Sequence, residues 1–200
     1  LVLYQKAVQL VPNYGEAIRD IGLIHEKFKK YNEALQFLLK AETLIPDNPW
    51  VYCHLARNYS FINNTTKVLE NYDKAINVLK KLNQKVPAWL LLDACRHCMW
   101  NLVPKDFNRA ISYAQVVHQG DYEAGQKIKA LELMSQCYID LKKYDQAMQL
   151  INKAIQTYSN HAEFYKTLGY IYYELKDYNK ALDYYKKTIA ISDNDPWIYI

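Results

Sequence analysis

The sequence is poor in the residues that interrupt helices, since its 200 residues include 5 glycines and 6 prolines. Proteins rich in β-hairpins and long loops need more of these turn-forming residues. No stretch approaches the roughly 18 consecutive apolar residues that a membrane-spanning helix requires. Half of the residues are hydrophobic, which is enough for a sizeable core. This composition predicts a mostly helical protein without a membrane segment.

Runs of like charge are also lacking, and the formal net charge at pH 7 is +4. Nucleic-acid-binding proteins usually carry a basic stripe, so nucleic acid is not an expected partner. The four cysteines, Cys53, Cys95, Cys98 and Cys137, are too few for a disulfide-stapled fold. We expect them to be buried thiols, which favours a reducing compartment, and the cytoplasm is the expected location.

One pattern of apolar and small residues recurs every 34 residues. The clearest copy holds Tyr165, Leu168, Gly169, Tyr172, Ala181 and Tyr185. The same slots in the preceding copy hold Leu131, Met134, Ser135, Tyr138, Ala147 and Ile151. Such spacing places apolar side chains on one face of a helix, and a polar break divides each copy into two helices. Each copy predicts a helix–turn–helix unit that must stack on its neighbours to bury its apolar stripe.

These slots resemble those of the tetratricopeptide repeat (TPR) family. The resemblance implies an all-α fold, a right-handed α–α superhelix (TPR solenoid) of antiparallel helix pairs, in a single array over residues 1–200. We expect repeats at 15–48, 49–82, 88–127, 128–161 and 162–195, of which 88–127 is degenerate. Residues 1–14 are expected to be the second helix of a preceding repeat, and 196–200 the start of a following one. The chain is therefore expected to be a piece of a longer protein, whose cut ends could allow homo-oligomerisation.

The motif Cys95-Arg96-His97-Cys98 raises the question of redox or metal chemistry. It lies within a predicted helix, both cysteines take core slots, and no second ligand pair follows at zinc spacing. Ordinary packing is therefore the favoured interpretation. The sequence also has no phosphate-binding loop or nucleophile motif. We expect no enzymatic activity, metal or cofactor within these residues.

In TPR proteins the first helix of each repeat lines a groove, into which repeat positions 2, 5, 9 and 12 tend to point. Here Trp50 and Trp89 share position 2 of successive repeats, Arg57 and Arg96 share position 9, and Arg19 takes position 5. Tryptophan and arginine are enriched at binding hot spots. The resemblance therefore implies a binding site at these five residues, although the tryptophans could instead fill the junction between repeats. Other positions 5 and 12 hold Cys53, Leu92, Glu26, Met99 and Ile139.

Three functions fit a helical repeat chain. The favoured one is a protein-interaction scaffold whose groove holds a partner protein or a peptide with carboxylates and an apolar anchor. The second is a substrate-recognition arm of a larger enzyme whose catalytic domain lies outside these residues. The third is an RNA-binding repeat, which reads bases through polar residues at fixed slots. The irregular occupancy of those slots by Glu16, Leu23, Glu132 and Glu163 argues against it.

Overall fold

The computed structural model describes residues 13–192, and within this range the chain is all-helical, with no strand. Its ten α-helices are α1 (Gly15–Lys27), α2 (Tyr31–Leu44), α3 (Pro49–Phe61), α4 (Thr65–Lys81), α5 (Ala88–Arg96), α6 (Phe107–Gln119), α7 (Ala124–Asp140), α8 (Tyr144–Thr157), α9 (Ala162–Glu174) and α10 (Tyr178–Ser192). A π-helical turn, His97–Asn101, continues from α5. The all-α prediction is confirmed. Among the described helices, none combines the length and apolar character needed to cross a membrane.

Several expectations fall on residues 1–12 and 193–200, which lie outside the described range. They are the second helix of a preceding repeat at 1–14, the end of the repeat at 162–195, and the start of a following repeat at 196–200. The repeat boundaries therefore stay predictions.

The chain divides into two compact units, with the boundary between Lys105 and Asp106. The N-terminal unit contains α1 to α5 and the π-helical turn, and the C-terminal unit contains α6 to α10. Helices that are consecutive in sequence pack against each other, α1 on α2 and α3 on α4 in the first unit, α6 on α7 and α9 on α10 in the second. The boundary falls inside the expected repeat 88–127, so its two helices belong to different units.

Glycines lie where paired helices approach most closely. A Cβ added to Gly22 of α1 would lie 2.9 Å from Leu38 Cγ and 3.3 Å from the Ala34 carbonyl oxygen, both on α2. At the same repeat position of the C-terminal unit, a Cβ on Gly169 would lie 2.8 Å from Tyr185 Cε1. Carbon atoms in contact prefer about 3.5–4.0 Å, so a larger residue would have to displace its neighbour at either position.

Four turns between paired helices contain one residue in the left-handed conformation. Their φ angles lie between 58° and 64°: Lys29, Asn63, Lys142 and Lys176. In each turn the next residue donates its backbone N–H to a carbonyl five residues earlier, as Asp177 does to Tyr172 at 2.9 Å. This bond closes a Schellman motif, which satisfies carbonyls at the helix end. Within each unit the left-handed residues of these paired-helix turns are 34 positions apart, so the turn repeats with the helices.

Candidate functional site

The two tryptophans at position 2 stack against each other in the N-terminal unit. Trp50 lies in the first turn of α3 and Trp89 in the first turn of α5, and their ring centroids are 6.4 Å apart with planes inclined by 21°. Each remains 43% exposed, so the pair presents apolar surface to solvent. Asn48 caps α3 by accepting the Trp50 backbone N–H at 3.1 Å, which fixes where the helix begins. We call Trp50 and Trp89 the indole ledge.

Arg57 is held by a carboxylate of the preceding repeat. Its Nη1 donates to Glu26 Oε1 at 3.0 Å, which joins α3 to α1. Asn58 Nδ2 donates to Glu26 Oε2 at 2.7 Å, and His54 Nδ1 lies 3.4 Å from the same oxygen. Burial by itself would raise the pKa of Glu26, but the hydrogen bonds of His54, Arg57 and Asn58 outweigh it and lower the pKa from 4.5 to about 2.

The other two candidate arginines also pair with carboxylates of the same unit. Nε and Nη2 of Arg19 donate to Asp20 Oδ1 at 2.9 and 2.7 Å. Arg96 donates to Asp93, one turn earlier on α5. The sequence interpretation did not include these partners. Because each charge is compensated, the three guanidinium groups supply oriented donors rather than a strongly positive patch.

Tyr72 of α4 lies within electrostatic reach of both Arg57 and Arg96. Burial and, after it, the Asp93 carboxylate raise the pKa of Tyr72 to about 12, against the opposing effect of both arginines. The structure therefore brings the indoles together as one stacked pair and places Arg57 and Arg96 around Tyr72, while Arg19 pairs with Asp20.

Four residues expected to line the groove do not: Cys53, Leu92, Met99 and Ile139 are buried. One reason is that successive first helices contact each other, α1 with α3 and α7 with α9, so less of each helix stays open. For Met99 the reason is the π-helical turn, which moves side chains off the α-helical register. The Cys53 thiol is neutral at ordinary pH, because burial raises its pKa to about 12.

An open cleft of about 520 Å³ adjoins the indole ledge, and no sequence motif marks it. It lies between the start of α1, the loop joining α2 to α3, and the segment after α4. Its lining includes Glu16, Ile45, Asp47, Trp50 and Leu82. We call it the Trp50 cleft.

The Cys95–Cys98 motif lies inside the core of the N-terminal unit. Both side chains are buried, and Cys95 Sγ lies 3.9 Å from Met99 Sδ. Across residues 13–192, no cluster of three or more His, Cys, Asp or Glu side chains is placed to hold a metal ion. This burial agrees with the packing role that the sequence predicts for Cys95 and Cys98.

Comparison with known proteins identifies the repeat. Two family models, both described as the tetratricopeptide repeat, match residues 20–48 and 127–194. The structure is similar to that of YrrB, described as a TPR protein with an unusual peptide-binding site, with a TM-score of 0.70, 16% identity, and coverage of 96% of this chain and 93% of that one. The crystal structure of MamA gives a TM-score of 0.67 and 17% identity, with 90% and 92% coverage. At these identities the likeness shows the fold alone.

Two curated relatives are much longer than this chain. The human protein O-mannosyl-transferase TMTC3 is 22% identical over 194 residues, which are 90% of this chain and 20% of that protein. The TPR repeat-containing protein MJ1428 of Methanocaldococcus jannaschii is 24% identical over 218 residues, covering 98% of this chain and 35% of its own length. Since the repeat is matched in both compact units and the fold is shared with solved TPR structures, the chain is a tetratricopeptide repeat protein.

Proposed function

We propose that this chain is a protein-interaction module that holds a partner peptide on its N-terminal unit, at the indole ledge and beside Arg57 and Arg96. The observation that carries the proposal is the stacked Trp50–Trp89 pair, in which each indole keeps 43% of its surface exposed. Indoles contribute large apolar contact area at binding surfaces. TPR proteins are in general non-catalytic scaffolds for proteins and peptides, which supports the same conclusion.

Arg57 and Arg96 would bind carboxylates of the partner. Arg57 uses Nη1 to hold Glu26, while 52% of its side chain stays exposed. A guanidinium group has five N–H donors, so the exposed edge can still receive a ligand. The intramolecular pair also fixes the side chain before binding, which reduces the entropy lost on association. Since these charges are already compensated, we expect the indoles to contribute more to affinity than the arginines, and Arg19 to contribute least.

The proposal can be tested with peptides selected from a display library on the unmodified protein, followed by Kd measurements on purified variants. Trp89→Ala should weaken binding at least about thirtyfold, the usual effect of removing a hot-spot residue. Arg96→Ala should weaken it about tenfold or less, because Asp93 already pairs with the guanidinium. Trp100→Ala is the matched control, since Trp100 is exposed in the same unit but lies outside the ledge. Binding within about twofold for folded Trp50→Ala and Trp89→Ala would contradict the proposal.

A second candidate function rests on the human relative, whose name is that of a protein O-mannosyl-transferase. These repeats would then be the substrate-recognition arm of a larger enzyme, with its catalytic domain outside the 200 residues. The coding sequence on both sides distinguishes the two proposals. A catalytic domain would favour the arm, and further repeats would favour the scaffold.

Location and self-association are also part of the proposal. A cytoplasmic scaffold is consistent with the cysteines, which are all buried and form no disulfide. Homo-oligomerisation through the chain ends stays a prediction, as does the absence of nucleic-acid and membrane partners.

A further inference from the structure

We propose that the Trp50 cleft binds an arginine side chain of the partner peptide. This inference rests on the proposed function, because it names the anchor of a partner held at the same surface. With about 520 Å³, the cleft is in the size range of ligand sites, roughly 300–1,000 Å³. Two features of the cleft support an arginine: the charge of its lining and the shape of its walls.

The charged residues that line the cleft are both carboxylates, Glu16 and Asp47. Glu16 is exposed in the first turn of α1 and forms no ion pair within residues 13–192. Asp47 pairs with Lys81 Nζ at 2.8 Å, but both groups are well exposed. Such surface pairs contribute little and can exchange with a ligand. The lining therefore favours a cation.

The apolar walls fit the stem and the flat head of an arginine. Ile45, Trp50 and Leu82 supply the walls, and the latter two are partly exposed. The planar guanidinium group can stack on the Trp50 indole while its aliphatic stem covers apolar surface. The Glu16 carboxylate can accept two parallel N–H bonds from the same group. A lysine would supply charge and stem, but no plane to stack and no fork of donors, so arginine is the better ligand.

The spacing along α3 predicts where the partner should carry its carboxylate. Trp50 and Arg57 are seven residues apart on one helix, which corresponds to about 10 Å at 1.5 Å per residue. About three residues of extended peptide span that distance. The partner should therefore have an aspartate or glutamate about three residues from its arginine, so that one residue enters the cleft and the other reaches Arg57.

The first experiment uses a small probe and does not depend on any partner. The ¹⁵N-labelled protein is titrated with N-acetyl-arginine amide, and the indole N–H signal of Trp50 is followed by NMR. N-acetyl-citrulline amide, which has the same shape without charge, and N-acetyl-lysine amide are titrated in parallel. We expect a saturable shift with the arginine probe, a smaller one with the lysine probe and none with citrulline. Glu16→Gln should remove the shift, and Glu33→Gln, an exposed carboxylate of α2, should keep it.

Failure of this inference can be separated from failure of the proposed function. Equal shifts with arginine and citrulline probes, no saturable shift, or a shift unchanged in Glu16→Gln would each overturn the arginine cleft. Library-selected peptides that need Trp89 would in that case leave the proposed function intact. The cleft could also bind the arginine probe while no selected peptide depends on Trp89. In that case the arginine cleft would stand, and the indole ledge would not be the peptide site.

Discussion

The N-terminal and C-terminal units are built from the same helix pairs but carry different residues at the same repeat positions. Position 2 holds Glu16, Trp50 and Trp89 in the first unit, and Lys129 and Glu163 in the second. Position 9 holds Leu23, Arg57 and Arg96 in the first unit, and Gln136 and Tyr170 in the second. The core slots are nevertheless occupied by buried small and apolar residues in both units. The buried core residues therefore hold the helix pairs together. Positions 2 and 9 are free to differ between the units because they lie outside the core.

The units also differ in the polar link between successive first helices. In the N-terminal unit, Glu26 joins α1 to Arg57 and Asn58 of α3, and its side chain is 8% exposed. In the C-terminal unit, His161 Nε2 donates to Glu132 Oε1 at 2.8 Å, and the Glu132 side chain is 19% exposed. A less solvated carboxylate depends more on its hydrogen bonds. The N-terminal link should therefore matter more for stability.

The largest expected difference between the units concerns the two glycines of the helix crossings. Gly22→Leu should lower the free energy of unfolding by about 3 kcal/mol, the upper end of the usual cost of overpacking. Gly169→Leu should cost about 1–2 kcal/mol, because the partly buried Tyr185 ring can move outward while Leu38 is fully enclosed. The shift of the urea midpoint, followed by circular dichroism, measures both.

Gly125→Ala is the control for the glycine comparison, since a Cβ there meets no atom within 4 Å. It should leave the urea midpoint unchanged or raise it slightly, because alanine favours the helix. An unchanged midpoint in Gly22→Leu would mean that α1 and α2 do not cross at this residue. Equal losses at Gly22 and Gly169 would remove the proposed difference between the two crossings.

The next difference concerns the two carboxylate links. Glu26→Gln should lower the free energy of unfolding by about 1–3 kcal/mol. The Gln amide nitrogen is a donor and would face the donor groups of Arg57 or Asn58. Glu132→Gln should lower the free energy of unfolding by less than about 1 kcal/mol, since the Glu132 carboxylate is better solvated than that of Glu26. Urea unfolding at neutral pH measures both variants. A larger loss in Glu132→Gln would reverse the ranking.

The pH dependence of stability gives a second measure of the N-terminal link. The pKa of Glu26 is lowered from 4.5 to about 2 in the folded chain, so between these values the unfolded chain binds more protons. The stability that Glu26 contributes is therefore complete above about pH 5 and is lost as the pH falls towards 2. Glu26→Gln should therefore flatten the fall of the urea midpoint between about pH 5 and 3. If Glu26→Gln leaves the slope of the urea midpoint against pH unchanged, the lowered pKa of Glu26 is contradicted.

The helices and their pairing could be predicted from sequence because the 34-residue period recurs at core slots that tolerate few residue types. Trp50 and Trp89, which share one position of this period, stack in the structure. The partners of the arginines were harder to predict. The Arg96–Asp93 pair has ordinary helical spacing and could have been found in the sequence. Glu26, in contrast, lies 31 residues from Arg57, and their contact depends on how α1 approaches α3.

Two other features could not be predicted for different reasons. The Trp50 cleft forms where a helix start, a loop and the segment after α4 meet, and no motif marks such a junction. The π-helical turn at His97–Asn101 shifts the register by a local change in hydrogen bonding, which the apolar periodicity does not reveal. Both lie in the N-terminal unit, where the candidate site also lies.

The smallest expected difference concerns the left-handed turn residues. A lysine at φ near 60° has an unfavourable approach of its Cβ to the carbonyl oxygen, which glycine avoids and asparagine tolerates better. Glycine also loses more conformational freedom on folding, so the net gain is a fraction of the steric cost. Lys176→Gly should therefore raise the free energy of unfolding by about 0.5 kcal/mol, and Asn63→Gly by less. Lys27→Gly, in the last turn of α1, is the control and should lower it by about 1 kcal/mol. If Asn63→Gly gains as much as Lys176→Gly in urea titrations, asparagine is no better tolerated than lysine in these left-handed turns.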